Sequence, residues 1–138
     1  AAGVAEGLNL GENAKSALIS RSFAEMTRYA KKFKADKNTL FGLSGLGDLI
    51  LTCSSKNSRN TQFGIKLASS KYDNFLDLLK SQEVTEGYYT VKAVYNISQK
   101  KNIDMPIMES VYNILYKQHD LKEELSNLLS RPITEEKI

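Results

Sequence analysis

An all-α single domain is the fold class this sequence predicts, and three observations carry that expectation. Apolar residues recur at steps of three and four along most of the chain, the spacing that lines up side chains on one face of a helix. The run Leu49-Ile50-Leu51-Thr52 could form a buried strand, but no second apolar run exists to pair with it, so a helical or irregular reading is favoured. The 138 residues, 41% hydrophobic and 25% charged, suit one globular domain with its own core.

The elements follow in order. Ile19, Phe23, Met26, Ala30 and Phe33 form one helical stripe, predicting a central helix from about Asn13, its cap, to Lys34. The basic run Lys31-Lys32-Phe33-Lys34 then lies where it complements the helix dipole. Gly45 and Gly47 predict a tight turn ahead of Asp48. The polar stretch Ser54 to Asn60 reads as a loop entering a helix near Arg59. Phe75, Leu76, Leu78 and Leu79 predict a helix over Tyr72 to Lys80, and Val91, Val94, Tyr95 and Ser98 another over Tyr88 to Lys100. Pro106 fits the first turn of a helix carrying Ile107, Val111, Ile114 and Leu115. Leu121, Leu125, Leu128 and Leu129 give a last helix stopped near Pro132, after which Thr134 to Ile138 is expected to fray.

Charge and composition exclude several classes. A net charge of +3, with Lys and Arg scattered among Asp and Glu, does not argue for a nucleic-acid partner. No segment reaches the apolar length of a membrane span, and no secretory signal is expected. The single cysteine, Cys53, excludes an internal disulfide and agrees with a cytoplasmic setting; it reads as an inert, partly buried thiol. His119 reads as a surface residue, and no metal site is expected. The chain opens at Ala1-Ala2-Gly3 without a methionine, which suggests a piece of something longer.

The chemistry gathers in one stretch. Asp48 follows the two glycines, and ten residues on comes Ser58-Arg59-Asn60. A guanidinium matches phosphate oxygens bidentately, and Ser and Asn can complete the remaining positions. A carboxylate near such a triplet suits a small polyol phosphate. Thr52 lies one helical turn beyond Asp48, on the same face. Gly45-x-Gly47 is no dinucleotide fingerprint, because Ile50 stands at the third glycine position and no strand precedes it.

Several segments together resemble one family. They are Gly11-Glu12-Asn13-Ala14-Lys15, Ala17-Leu18-Ile19-Ser20-Arg21, Ala24-Glu25-Met26, Phe41-Gly42-Leu43-Ser44-Gly45-Leu46-Gly47-Asp48-Leu49, Leu51-Thr52-Cys53, Ser58-Arg59-Asn60, Glu86-Gly87, Ala93-Val94-Tyr95, Met105-Pro106-Ile107 and Leu129-Ser130-Arg131-Pro132. The resemblance is to the bacterial type of NAD(P)-dependent glycerol-3-phosphate dehydrogenases. It implies the helical C-terminal substrate domain, with a fold like the 6-phosphogluconate dehydrogenase C-terminal domain, and an N-terminal Rossmann domain for NAD or NADP that this chain does not contain. The family's proton-transferring lysine would fall just upstream of Ala1. The resemblance implies substrate contacts for Asp48, Ser58, Arg59 and Asn60, a supporting catalytic role for Asp48 and Thr52, and cofactor contacts for Arg59, Val84 and Glu86. It further implies reversible reduction of dihydroxyacetone phosphate in support of phospholipid synthesis, and leaves a homodimer open. The rival expectations are the helical domain of another 2-hydroxy-compound dehydrogenase, or a non-catalytic helical interaction module. A domain built to meet another would expose an apolar patch.

Overall fold

Residues 1–69, 72–80 and 85–132 are described by the computed structural model, and every regular element among them is helical. The order is α1 (Ala2–Gly7), α2 (Glu12–Lys32), α3 (Lys37–Phe41), a π-helical segment (Leu43–Gly47), α4 (Asp48–Ser54), α5 (Arg59–Ser69), α6 (Tyr72–Lys80), α7 (Glu86–Lys101), α8 (Pro106–Lys117) and α9 (Leu121–Ser130). Leu49 to Thr52 is therefore helical. Val84 and the tail from Thr134 to Ile138 lie outside the described residues.

The core joins α1, α2, α5, α8 and α9 through Val4, Ala5, Leu18, Phe63, Leu67, Ile107, Ile114, Leu115, Leu125 and Leu128. Leu78 and Leu79 of α6 pack against it, while Leu76 is exposed. Pro106 opens α8 as expected, and its missing N–H costs nothing at that position.

Two expectations for α2 need correction. Its N-cap is Gly11, at φ 88°, and Asn13 sits inside the first turn. Only glycine takes that left-handed conformation without steric cost. The buried face of α2 is also not the apolar stripe. It carries Lys15, Leu18, Glu25 and Thr27, whereas Phe33 remains 46% exposed. Polar groups are tolerated there because each is paired. Lys15 Nζ meets Glu6 Oε2 at 3.0 Å, Thr27 Oγ1 donates to the Phe23 carbonyl at 2.9 Å, and Glu25 accepts from the N–H groups of Ile107 (2.6 Å) and Met108 (3.2 Å). Arg21 donates to the carbonyls of Leu128 and Arg131, tying α2 to α9. The apolar stripe packs only in part, with Phe23 edge-on to Phe41 at 5.1 Å.

The expected turn at Gly45 and Gly47 needs a further correction. Neither glycine takes a positive φ, and the segment winds as a π-helix directly into α4. Gly45 is required for a different reason: a Cβ there would stand 2.1 Å from the Leu40 carbonyl oxygen. Such π segments occur often at functional sites.

The tightest packing is between α1 and α5. A Cβ on Gly3 would stand 2.2 Å from the Thr61 carbonyl oxygen, and one on Gly64 would stand 2.9 Å from Gly3 Cα. Both obstacles are backbone, so neither can rotate away. Gly3→Ala should therefore force the helices apart and lower the stability of this chain by about 2 kcal/mol. Urea unfolding reads this directly, and an unchanged midpoint would mean the two helices separate without cost.

Candidate functional site

The α4–α5 corner carries most of the residues singled out from the sequence. Asp48 and Thr52 stand one turn apart on α4, Asp48 exposed and Thr52 half-buried. Thr61 Oγ1, in the first turns of α5, donates to the Thr52 carbonyl at 2.9 Å and ties the two helices together. Between them Asn57 N–H donates to Ser55 Oγ at 3.2 Å, and Ser58 N–H to the Ser55 carbonyl at 3.2 Å. Ser58 then caps α5, its Oγ accepting from Thr61 N–H at 3.4 Å. This leaves the Ser58 hydroxyl proton available for an acceptor outside. Arg59 and Asn60 follow in the first helical turn, both exposed. Backbone N–H groups in a first turn have no intrahelical acceptor and favour an anion.

The loop into α5 is held from α1. Glu6 pairs with buried Lys15 at 3.0 Å and with exposed Lys56 at 3.6 Å. The hydrogen bond and charge of Lys15 hold the Glu6 carboxyl below the usual range. Sequence reasoning missed this arrangement, since no local pattern joins residues 6, 15 and 56.

A second wall comes from α7. Glu86 opens that helix and is exposed; Gly87 follows, and a Cβ built on it would lie 2.5 Å from Asn60 Oδ1. The starts of α5 and α7 thus meet side by side. Tyr116 Oη donates to the Tyr88 carbonyl at 2.6 Å and stacks on the Tyr88 ring at 4.7 Å, fixing the start of α7 from behind. Burial raises the Tyr116 phenol to about 12, so it stays a donor across the working range. The structure therefore brings Asn60 against the Glu86-Gly87 turn and joins the Thr52 turn to α5. It forms no ion pair between Asp48 and Arg59.

Cys53 is half-buried, and burial pushes its thiol up, with Lys15 opposing and Asp48 adding to the rise. A thiol so placed is a poor nucleophile. His119 is exposed and meets Glu124 Oε1 at 2.8 Å. Among the described residues no group of three or more His, Cys, Asp or Glu side chains could hold a metal ion. No described helix is long and apolar enough to cross a membrane. Around the corner Leu43 is 91% exposed, Leu51 68% and Ile50 47%.

Comparison with known proteins bears on the same segments. A family model described as NAD-dependent glycerol-3-phosphate dehydrogenase C-terminus matches residues 1–126. A glycerol-3-phosphate dehydrogenase (NAD(P)+) from Solidesulfovibrio magneticus is 45% identical over 137 residues, which cover 99% of this chain and 41% of the relative. One from Colwellia psychrerythraea is 44% identical over 131 residues, covering 95% of this chain and 39% of the relative. The crystal structure of glycerol-3-phosphate dehydrogenase from Coxiella burnetii superposes with a TM-score of 0.84 at 37% identity, over 94% of this chain and 40% of that one. This chain spans about two fifths of the length of the relatives it matches.

Proposed function

The chain belongs to the NAD-dependent glycerol-3-phosphate dehydrogenase C-terminus family, and we propose that it is the helical substrate domain of a longer two-domain polypeptide. That enzyme reversibly reduces dihydroxyacetone phosphate to sn-glycerol 3-phosphate with NAD(P)H, in the cytoplasm, as a supply for phospholipid synthesis. The observation that carries the reading is the α4–α5 corner: a Ser58-capped helix start bearing Arg59 and Asn60, bonded through Thr61 to the helix of Asp48 and Thr52. The exposed Leu43, Ile50 and Leu51 beside Asp48 support a covering domain on that side.

Each residue has a part in this reading. Arg59 holds the phosphate through its planar fork, with the Ser58 hydroxyl and Asn60 amide completing the donors. Fixing the phosphate fixes the reacting carbonyl, so remote binding energy orients the chemistry. Asp48 accepts hydrogen bonds from the substrate hydroxyl and orients the ammonium of a lysine lying upstream of this chain. An anion favours the charged ammonium, so Asp48 positions that lysine and other groups lower its pKa. Thr52 supports Asp48 from one turn away. The packing of the Asn60 amide on Gly87 brings the starts of α5 and α7 together, and Arg59, Glu86 and Val84 are the residues of this chain that would contact the dinucleotide. When bound, the nicotinamide supplies hydride to the carbonyl carbon while the carbonyl oxygen takes a proton.

The test compares two polypeptides for NADH oxidation in the presence of dihydroxyacetone phosphate. The longer polypeptide should turn over and this chain alone should not, since it lacks the dinucleotide-binding domain and the lysine. Turnover by this chain alone would overturn the reading. So would a longer polypeptide that ignores dihydroxyacetone phosphate and reduces a different 2-oxo compound.

A further inference from the structure

Gly87 stands in the first turn of α7, in helical backbone that alanine adopts as readily. Its φ is not positive, so backbone conformation does not call for glycine. What a side chain there would meet is the Asn60 amide, at 2.5 Å to Oδ1, 3.1 Å to Cγ and 3.3 Å to Nδ2. All three are the far end of one side chain rather than backbone. The obstacle can swing away at little cost to the fold, but only by abandoning its place. The start of α7 is meanwhile tied to α8, because Tyr116 donates to the Tyr88 carbonyl at 2.6 Å, so the side-chain end of Asn60 yields first.

We propose that Gly87 is a positioning residue for the substrate site: its missing side chain lets the first turn of α7 back the Asn60 amide and hold it in its substrate-reading position. The inference rests on the proposed role of Asn60. It adds that α7, the helix opened by Glu86, sets the geometry of a group on α5. Gly87 itself touches no substrate; it acts through Asn60.

The test uses the longer polypeptide with Gly87→Ala, Asn60→Ala and the double variant. Gly87→Ala should leave the thermal midpoint unchanged or slightly raised, and should raise KM for dihydroxyacetone phosphate roughly tenfold, the scale of one lost hydrogen bond to a charged ligand. Asn60→Ala should do at least as much. The double variant should be no worse than Asn60→Ala alone, because once the amide is gone the extra methyl displaces nothing. Multiplying effects, or an unchanged KM in Gly87→Ala, would overturn the proposal. A crystal structure of Gly87→Ala reads the displacement of Asn60 independently of turnover. An amide left in place there refutes the positioning role; a displaced amide with no activity in wild type faults the assigned reaction instead.

Discussion

Arg59→Ala, made in the longer polypeptide, is expected to lower kcat/KM for dihydroxyacetone phosphate by about two orders of magnitude or more. On the proposed reading, the loss is that of the substrate phosphate's counter-charge. Arg59→Lys keeps the charge yet should still cost one to two decades, because a charge-assisted hydrogen bond is worth roughly 1.5–3 kcal/mol and an ammonium cannot offer the planar fork. The guanidinium does not serve the fold: it is exposed, and the helix it opens is capped by Ser58. Thermal midpoints of both variants should therefore match wild type. The discriminating comparison uses unphosphorylated dihydroxyacetone, which has nothing for Arg59 to hold. The variants should slow it far less than the phosphate ester. Equal slowing of both substrates would show that Arg59 does not read phosphate and would move its role to cofactor contact.

Much of the candidate site's arrangement follows from residue order, because its parts are local. Ser58, Arg59 and Asn60 are consecutive, so they gather at one helix start whatever way each side chain faces, and Asp48 and Thr52, four apart, share one face of α4. The last two helices, α8 and α9, were equally legible, since each buries apolar residues of its predicted stripe in the core, whereas α6 and α7 pack their stripes only in part. The sequence misleads where burial is polar. On α2 the apolar stripe of Ile19, Phe23 and Met26 is only half-buried, while Lys15 and Glu25 go inside. Their partners are Glu6 and the start of α8, and the second pairing spans more than eighty residues. Periodicity cannot weigh a charge whose cost is offset by a partner so far away. The π-helical turn before Asp48 was illegible for a related reason. Gly45 answers to a close carbonyl rather than to a φ value, and only the folded backbone shows that. The spacing Gly3-x-x-x-Gly7, facing Gly64 and Ala68, was a usable signal for the α1–α5 contact, since small residues four apart let two helices approach closely.

Glu25 carries the largest expected effect on the fold itself. It is 3% exposed, and its two oxygens accept from Ile107 and Met108, the first N–H groups α8 can offer after Pro106. A side chain of α2 thus caps a helix whose own N-cap, Met105, supplies no side-chain bond. Glu25→Ala would strand those donors inside the protein and should cost about 3 kcal/mol in urea unfolding. Glu25→Gln should cost less, since one oxygen still accepts. The same site makes stability depend on pH. Burial raises the Glu25 carboxyl to about 7, outweighing the two N–H donors and the charge of Arg28. The unfolded chain gives up that proton near 4.5, so between the two values the native state binds more protons than the unfolded one. The contribution is therefore fully present below 4.5 and is lost as pH rises through about 7. It amounts to about 3 kcal/mol. Urea unfolding of wild type and Glu25→Gln across this range isolates the effect, because glutamine does not titrate. Their difference in stability should shift against wild type as pH rises, and a constant difference would mean that Glu25 ionises in the native state as readily as in the unfolded chain.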